Sequence, residues 1–259
     1  MQEFNIKALV IILLSSLVLS TCKQTPQRPA AIAQSATLQQ PSFPQEKSSL
    51  VYEVRPPHVS STHPPVLILL HGYGSNEKDL FSLAPAIPGP FLVVCPQAPI
   101  QLADNKFSWF TLNRQETGFS YSADQVLETL QLLRNFIREI KNMYQVDDNH
   151  IYIGGFSQGA ITTLSTALLY PDEVTGVVCL SGALYPEIKN SLQKSSTLPK
   201  IFMSHGTQDQ VLDIQNIESA QQFLRDKGYE VTYKKYDAAH TITRQNLSDM
   251  AHWLASQVE

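Results

Sequence analysis

The chain has 259 residues, 43% apolar, 16% charged and 9% aromatic. That balance is ordinary for a globular protein and excludes a disordered or collagen-like polymer. A formal net charge of −4, with the basic residues scattered, gives no electrostatic footprint for a nucleic-acid partner.

In chain order, the first feature is an apolar run from Ala8 to Ser20, after a short segment carrying one Glu and one Lys. Thirteen residues suit the apolar region of an export signal and are short for a bilayer span. Residues 1–21 therefore read as a signal peptide. Leu19-Ser-Thr-Cys22 resembles a bacterial lipobox, which makes Cys22 a candidate lipid-attachment site; a cleaved, soluble export is the alternative. The expected location is the cell envelope or the outside of the cell. Residues 22–49, rich in Gln, Pro, Ala and Ser, cannot bury enough surface to offset their ordering entropy and read as a flexible spacer.

From residue 50 the pattern changes. Short apolar runs at Val66–Leu70, Phe91–Val94, Ile151–Ile153, Val177–Leu180, Ile201–Met203 and Tyr229–Tyr233 predict strands. Runs without polar alternation imply burial on both faces, as in a parallel sheet covered by helices. Between them, Val126, Leu130, Leu133, Ile137, Ile140 and Tyr144 recur at helical spacing. Further helices are predicted at Gln158–Leu169, stopping before Pro171, at Ile214–Lys227 and at Arg244–Gln257. The alternation gives a single α/β domain over 50–259, an open and mostly parallel sheet with helices on both faces and no separate cap domain. Cys95 and Cys179 fall in the apolar runs as buried thiols, with a disulfide between them left open.

The chemistry concentrates after the third strand of that pattern. Gly155-Phe-Ser-Gln-Gly159 is a G-x-S-x-G turn between a strand and a helix, the context of a nucleophile elbow in the α/β-hydrolase fold. The sharpness of the turn requires Gly155 and Gly159, and the helix N-terminus behind Ser157 favours developing negative charge. A serine hydroxyl needs an oriented base, and chain order in this fold runs Ser, acid, His. His205 precedes the plausible acids and His252 lies in the last helix, which leaves His240 as the base. Asp209, in the turn after the Ile201 strand, is the acid, with Asp213 as runner-up helix cap and Asp237 as a neighbour of the base. The glycines of Leu70-His-Gly-Tyr-Gly74 allow backbone N–H groups to face the site. Tyr73 and Gln158 are accordingly the expected oxyanion donors. His71 reads as structural. No spacing suggests a metal, and no cofactor is expected.

Leu70-His-Gly-Tyr-Gly74, Pro96-Gln-Ala-Pro99, Ser108-Trp-Phe110, Gly154-Gly-Phe-Ser-Gln-Gly-Ala160, His205-Gly-Thr-Gln-Asp209 and the loop at His240 occur in this order. Together they resemble the phospholipase/carboxylesterase family, which includes acyl-protein thioesterases and small bacterial carboxylesterases. The resemblance spans residue 50 to the C-terminus and implies the triad Ser157, Asp209 and His240 with Tyr73 and Gln158 as oxyanion donors. Tyr73 stands where Leu is common. Trp109 and Phe110 match an aromatic pair near the family's substrate pocket, with core packing as the equal alternative. The expected reaction is hydrolysis of short- or medium-acyl esters of a small molecule, glycan or lipid. A serine peptidase and a silent binding protein on the same scaffold are its rivals.

Overall fold

The computed structural model describes residues 48–115, 118–192 and 197–258. The strands are β1 (Tyr52–Arg55), β2 (Val66–Leu70), β3 (Leu92–Pro96), β4 (Ile100–Ala103), β5 (Lys106–Ser108), β6 (Asn113–Gln115), β7 (Gly118–Ser120), β8 (Ile151–Phe156), β9 (Gly176–Leu180), β10 (Lys200–Gly206) and β11 (Val231–Tyr236). The helices are α1 (Glu77–Phe81), α2 (Ala123–Tyr144), α3 (Gln158–Leu169), α4 (Pro186–Ser191), α5 (Ile214–Asp226) and α6 (Arg244–Ala255). Seven strands form one sheet in the order β1-β3-β2-β8-β9-β10-β11. β1 lies antiparallel on β3, and the other pairs are parallel.

The unbroken apolar run of β2 is divided between two cores. Val66, Ile68 and Leu70 join a cluster with the buried faces of α2, α3 and α5. Leu67 and Leu69 pack with Leu80 of α1 and with Met250 and Leu254 of α6. Alternation on a pleated strand thus feeds two layers of helix, because neither face of a parallel strand is left to water. Helix starts follow local chemistry: Ser122 accepts from the Gln125 amide, Asp213 from Gln215 and Thr243 from Asn246. Asp213, the runner-up acid, is therefore committed to the start of α5.

The last strand begins two residues later than its apolar run suggests. α5 closes with Gly228 at φ 89°, the Gly228 amide donating to Arg225 and the Tyr229 amide to Leu224. That double bond pattern is a left-handed helix stop, and the buried Tyr229 ring packs as part of it before the strand starts. The edge strand β1, the hairpins β4–β5 and β6–β7, and the short helices α1 and α4 have no counterpart among the predicted elements. They are brief, and several residues of β4 are exposed, so no apolar period marks them.

Cys95 and Cys179 are free and buried. β3 and β9 are three strand steps apart, roughly 14 Å at the usual spacing, and the two thiols belong to opposite cores. A disulfide between them is excluded by geometry.

Candidate active site

The turn from β8 into α3 sets Ser157 at φ 55° and ψ −118°. For a residue with a side chain such a backbone costs about 1–3 kcal/mol, offset by the surrounding structure. The Ser157 amide donates to Leu180 of β9, which fixes the elbow to the sheet. A Cβ on Gly159 would lie 2.1 Å from the Leu70 carbonyl oxygen, and one on Gly155 would lie 2.4 Å from the Gly159 carbonyl carbon. Only glycine lets α3 begin this close to β2.

His240 arrives on the loop after β11. Its Nε2 is 2.9 Å from Ser157 Oγ, and its Nδ1 is 2.6 Å from Asp209 Oδ2. Asp209 sits in the turn after β10, with its other oxygen accepting from the Val211 and Leu212 amides at 2.8 and 3.0 Å. Burial opposes ionisation of Asp209, but bonds from His205, His240 and the Leu212 amide outweigh it and hold the carboxyl well below the usual carboxylate range. The His240 ring packs at 4.7 Å on Phe156, which restricts its rotation. Asp237 is turned away, accepting from Gln208 Nε2. His252 bonds the Ser248 carbonyl on the exposed face of α6.

The loop after β2 carries Tyr73 to the same place. His71 Nε2 accepts from the Ala98 amide, which leaves Nδ1 as the donor to the Gly72 carbonyl. Burial lowers the His71 pKa, in keeping with this neutral, structural use. Gly72 lies against Phe156 and Ser157. Among the described residues no acceptor engages the Tyr73 or Gln158 amide.

Trp109 and Phe110 part company. Trp109 is fully buried behind the site, its indole N–H donating to the His71 carbonyl and its ring packed on the His71 imidazole. It is a brace for the Tyr73 loop, and its assignment to the substrate pocket is corrected. An indole N–H buried without a partner would be costly, and the His71 carbonyl is where it finds one. Phe110 does line the cleft, a cavity of about 330 Å³ that opens on Ser157, Gln158 and His240. Leu112, Phe119, Tyr121, Ile161 and Tyr185 complete much of its wall. Phe110 packs edge to face with Tyr121 and Tyr185, whose own rings meet at a tilt, with centroids 5.1–6.1 Å apart. Sequence reasoning missed Leu112, Phe119, Tyr121 and Tyr185; the dense aromatic spacing from Phe107 to Tyr121 was the available signal. The Gln158 side chain joins wall to elbow, accepting from the Trp109 amide and donating to the Phe110 carbonyl.

A parallel sheet with an elbow serine at the end of its central strand, a histidine and a buried carboxylate defines an α/β-hydrolase. The sequence matches the family described as Phospholipase/Carboxylesterase over residues 52–258, and the chain belongs to that family. It is 28% identical over 230 residues to acyl-protein thioesterase 1 of Candida albicans, covering 81% of this chain and 99% of that one. Acyl-protein thioesterase 1 of Yarrowia lipolytica matches at 28% over 218 residues, 77% of this chain and 94% of the other. The crystal structure of the Bacillus cereus carboxylesterase superposes with a TM-score of 0.70 at 21% identity, covering 82% and 96% of the two chains. The chain is an enzyme, an ester hydrolase of the serine-hydrolase class.

The same relatives overturn the expected export to the cell envelope. Over nearly their whole length they are acyl-protein thioesterases, and no described helix is long and apolar enough to cross a membrane. A thirteen-residue apolar run is evidence of composition alone. That run and Cys22 lie outside the described residues.

Proposed function

We propose that the enzyme is a carboxylesterase working through an acyl-enzyme on Ser157, with residues 50–259 as the catalytic domain. The observation that carries this reading is the unbroken chain of contacts Ser157–His240–Asp209, at 2.9 and 2.6 Å. His240 Nε2 accepts the Ser157 proton as Oγ bonds to the ester carbonyl carbon. The carbonyl electron pair moves to oxygen, facing the Tyr73 and Gln158 amides. Collapse breaks the ester bond, and the alkoxide takes the proton from His240 and departs as the alcohol. Water then enters, gives His240 a proton and bonds to the acyl carbon; Ser157 leaves with that proton and the acid is released. Asp209 holds the Nδ1–H tautomer throughout. The aromatic and aliphatic cleft wall suits short and medium acyl chains.

Hydrolysis of 4-nitrophenyl acetate, butyrate and decanoate by wild type and Ser157→Ala tests the proposal. The variant should lose at least about 10³-fold in kcat/KM; equal rates would remove Ser157 from the chemistry. A fluorophosphonate probe should label wild type only. A second reading is favoured by the names of the relatives: an acyl thioester in place of the oxygen ester, handled by the same steps with a thiolate leaving. Matched decanoyl oxygen esters and thioesters, compared by kcat/KM, decide which is the better substrate.

A further inference from the structure

We infer that His205 is a positioning residue for the hydrolytic relay, giving Asp209 a second imidazole N–H and so fixing the carboxylate that orients His240. The inference rests on the reading of Asp209 and His240 as partners of Ser157.

His205 lies near the end of β10 and is fully buried. Its Nε2 faces two oxygens, the Leu212 carbonyl at 2.9 Å and Asp209 Oδ2 at 3.2 Å. A carbonyl oxygen has no proton to give, and the Asp209 carboxyl is ionised at neutral pH, so Nε2 carries the hydrogen that both share. Nδ1 on the far side has no partner among the described residues. Closing the loop onto Leu212 needs one donor and does not require an imidazole with an orphaned buried nitrogen. What the ring adds is its reach to Oδ2, the oxygen that also takes the His240 proton donor.

Asp209 therefore accepts from four N–H groups: His205 and His240 on Oδ2, Val211 and Leu212 on Oδ1. The carboxylate cannot rotate without breaking two of them at once. His205 also draws part of the negative charge away from His240. Among the described residues, the titratable groups set directly on Asp209 are these two histidines; Asp213 caps α5 and Asp237 binds Gln208.

The test compares His205→Leu and His205→Gln with wild type on 4-nitrophenyl butyrate. The Leu variant should lose about tenfold in kcat with KM little changed. Its acid limb of kcat/KM should move to higher pH, because Asp209 then places its whole charge on His240 and favours the imidazolium. Gln, which keeps a donor, should recover most of both effects. Unchanged kcat and an unmoved acid limb in the Leu variant, with only a lower Tm, would reduce His205 to a loop tie and overturn the inference. If the Leu variant does not fold, the His205 Nε2–H resonance in Asp209→Asn decides: it should move upfield, and an unmoved signal overturns the inference. The underlying reading fails separately. Wild-type activity in Asp209→Asn removes the triad itself, whereas a crippled Asp209→Asn beside a fully active His205→Leu removes only the role of His205.

Discussion

Asp209 illustrates how a single residue turns chain position into chemistry. Its selection from sequence needed only the order Ser, acid, His and a turn after a strand, and the three side chains so selected lie within hydrogen-bond reach of one another in the structure. The donors that keep it ionised were not legible there, since two are backbone amides of its own loop and one is a histidine set aside as base because it precedes the acid in the chain. Asp209→Asn should lower kcat by about 10³–10⁴-fold by offering His240 a donor where it needs an acceptor. The carboxyl is also linked to folding. Its folded pKa lies below the unfolded value of about 3.9, so its contribution to stability is present above that pH and is lost as the pH falls further. The urea midpoint difference between wild type and Asp209→Asn should therefore change between about pH 6 and about pH 3. A difference constant across that range would contradict the linkage.

Among the elements, those repeating an apolar period over many residues were readable, and those built from turns were not. α2 showed itself through six apolar positions on one face, all of them buried. The two hairpins between β3 and α2 are too short to show an apolar period, yet they and their connection carry Phe110, Phe119 and much of the cleft wall. Trp109 could not be assigned from sequence because an aromatic pair reads the same whether it lines a pocket or braces one. Gln158 connects these elements: its amide group spans from the first turn of α3 to Trp109 and Phe110. Gln158→Ala leaves the buried Trp109 N–H unpaired and the Phe110 carbonyl with Ser108 Oγ as its remaining donor, at a cost of about 1–3 kcal/mol in the urea midpoint analysis. It should raise KM for 4-nitrophenyl butyrate as the Phe110 wall loosens. Gln158→Glu, which can still accept but not donate, should fall between the two.

At the scale of the whole molecule, one sheet with two helical layers and two hairpins outside the sheet account for the described chain from residue 48 onward. The stretch read as a flexible spacer runs over residues 22–49, but its last two residues are tied down, with Ser48 Oγ and the Ser49 amide both donating to Glu139 of α2. A chain beginning at Ser48 should accordingly retain the Tm and kcat/KM of the full-length protein. A drop in either would give the preceding residues a part in the fold or the site. The parallel core was legible because unbroken apolar strands have few alternatives. Cellular address was not, because it depends on what a receptor recognises and not on packing.

The cleft wall has a last consequence. The hairpins β4–β5 and β6–β7 stand outside the seven-stranded sheet, the first held to the Tyr73 loop by a bridge between Phe107 and Ser75, whereas Ser157, Asp209 and His240 hang from the ends of that sheet. Part of the cleft wall is thus encoded in a stretch of the gene separate from those that carry Ser157, Asp209 and His240. Under the proposed mechanism, exchanges at Leu112 or Phe119 should shift acyl preference, while Trp109 and the Phe107–Ser75 bridge, which hold the Tyr73 loop, are the parts of that stretch an engineer must keep.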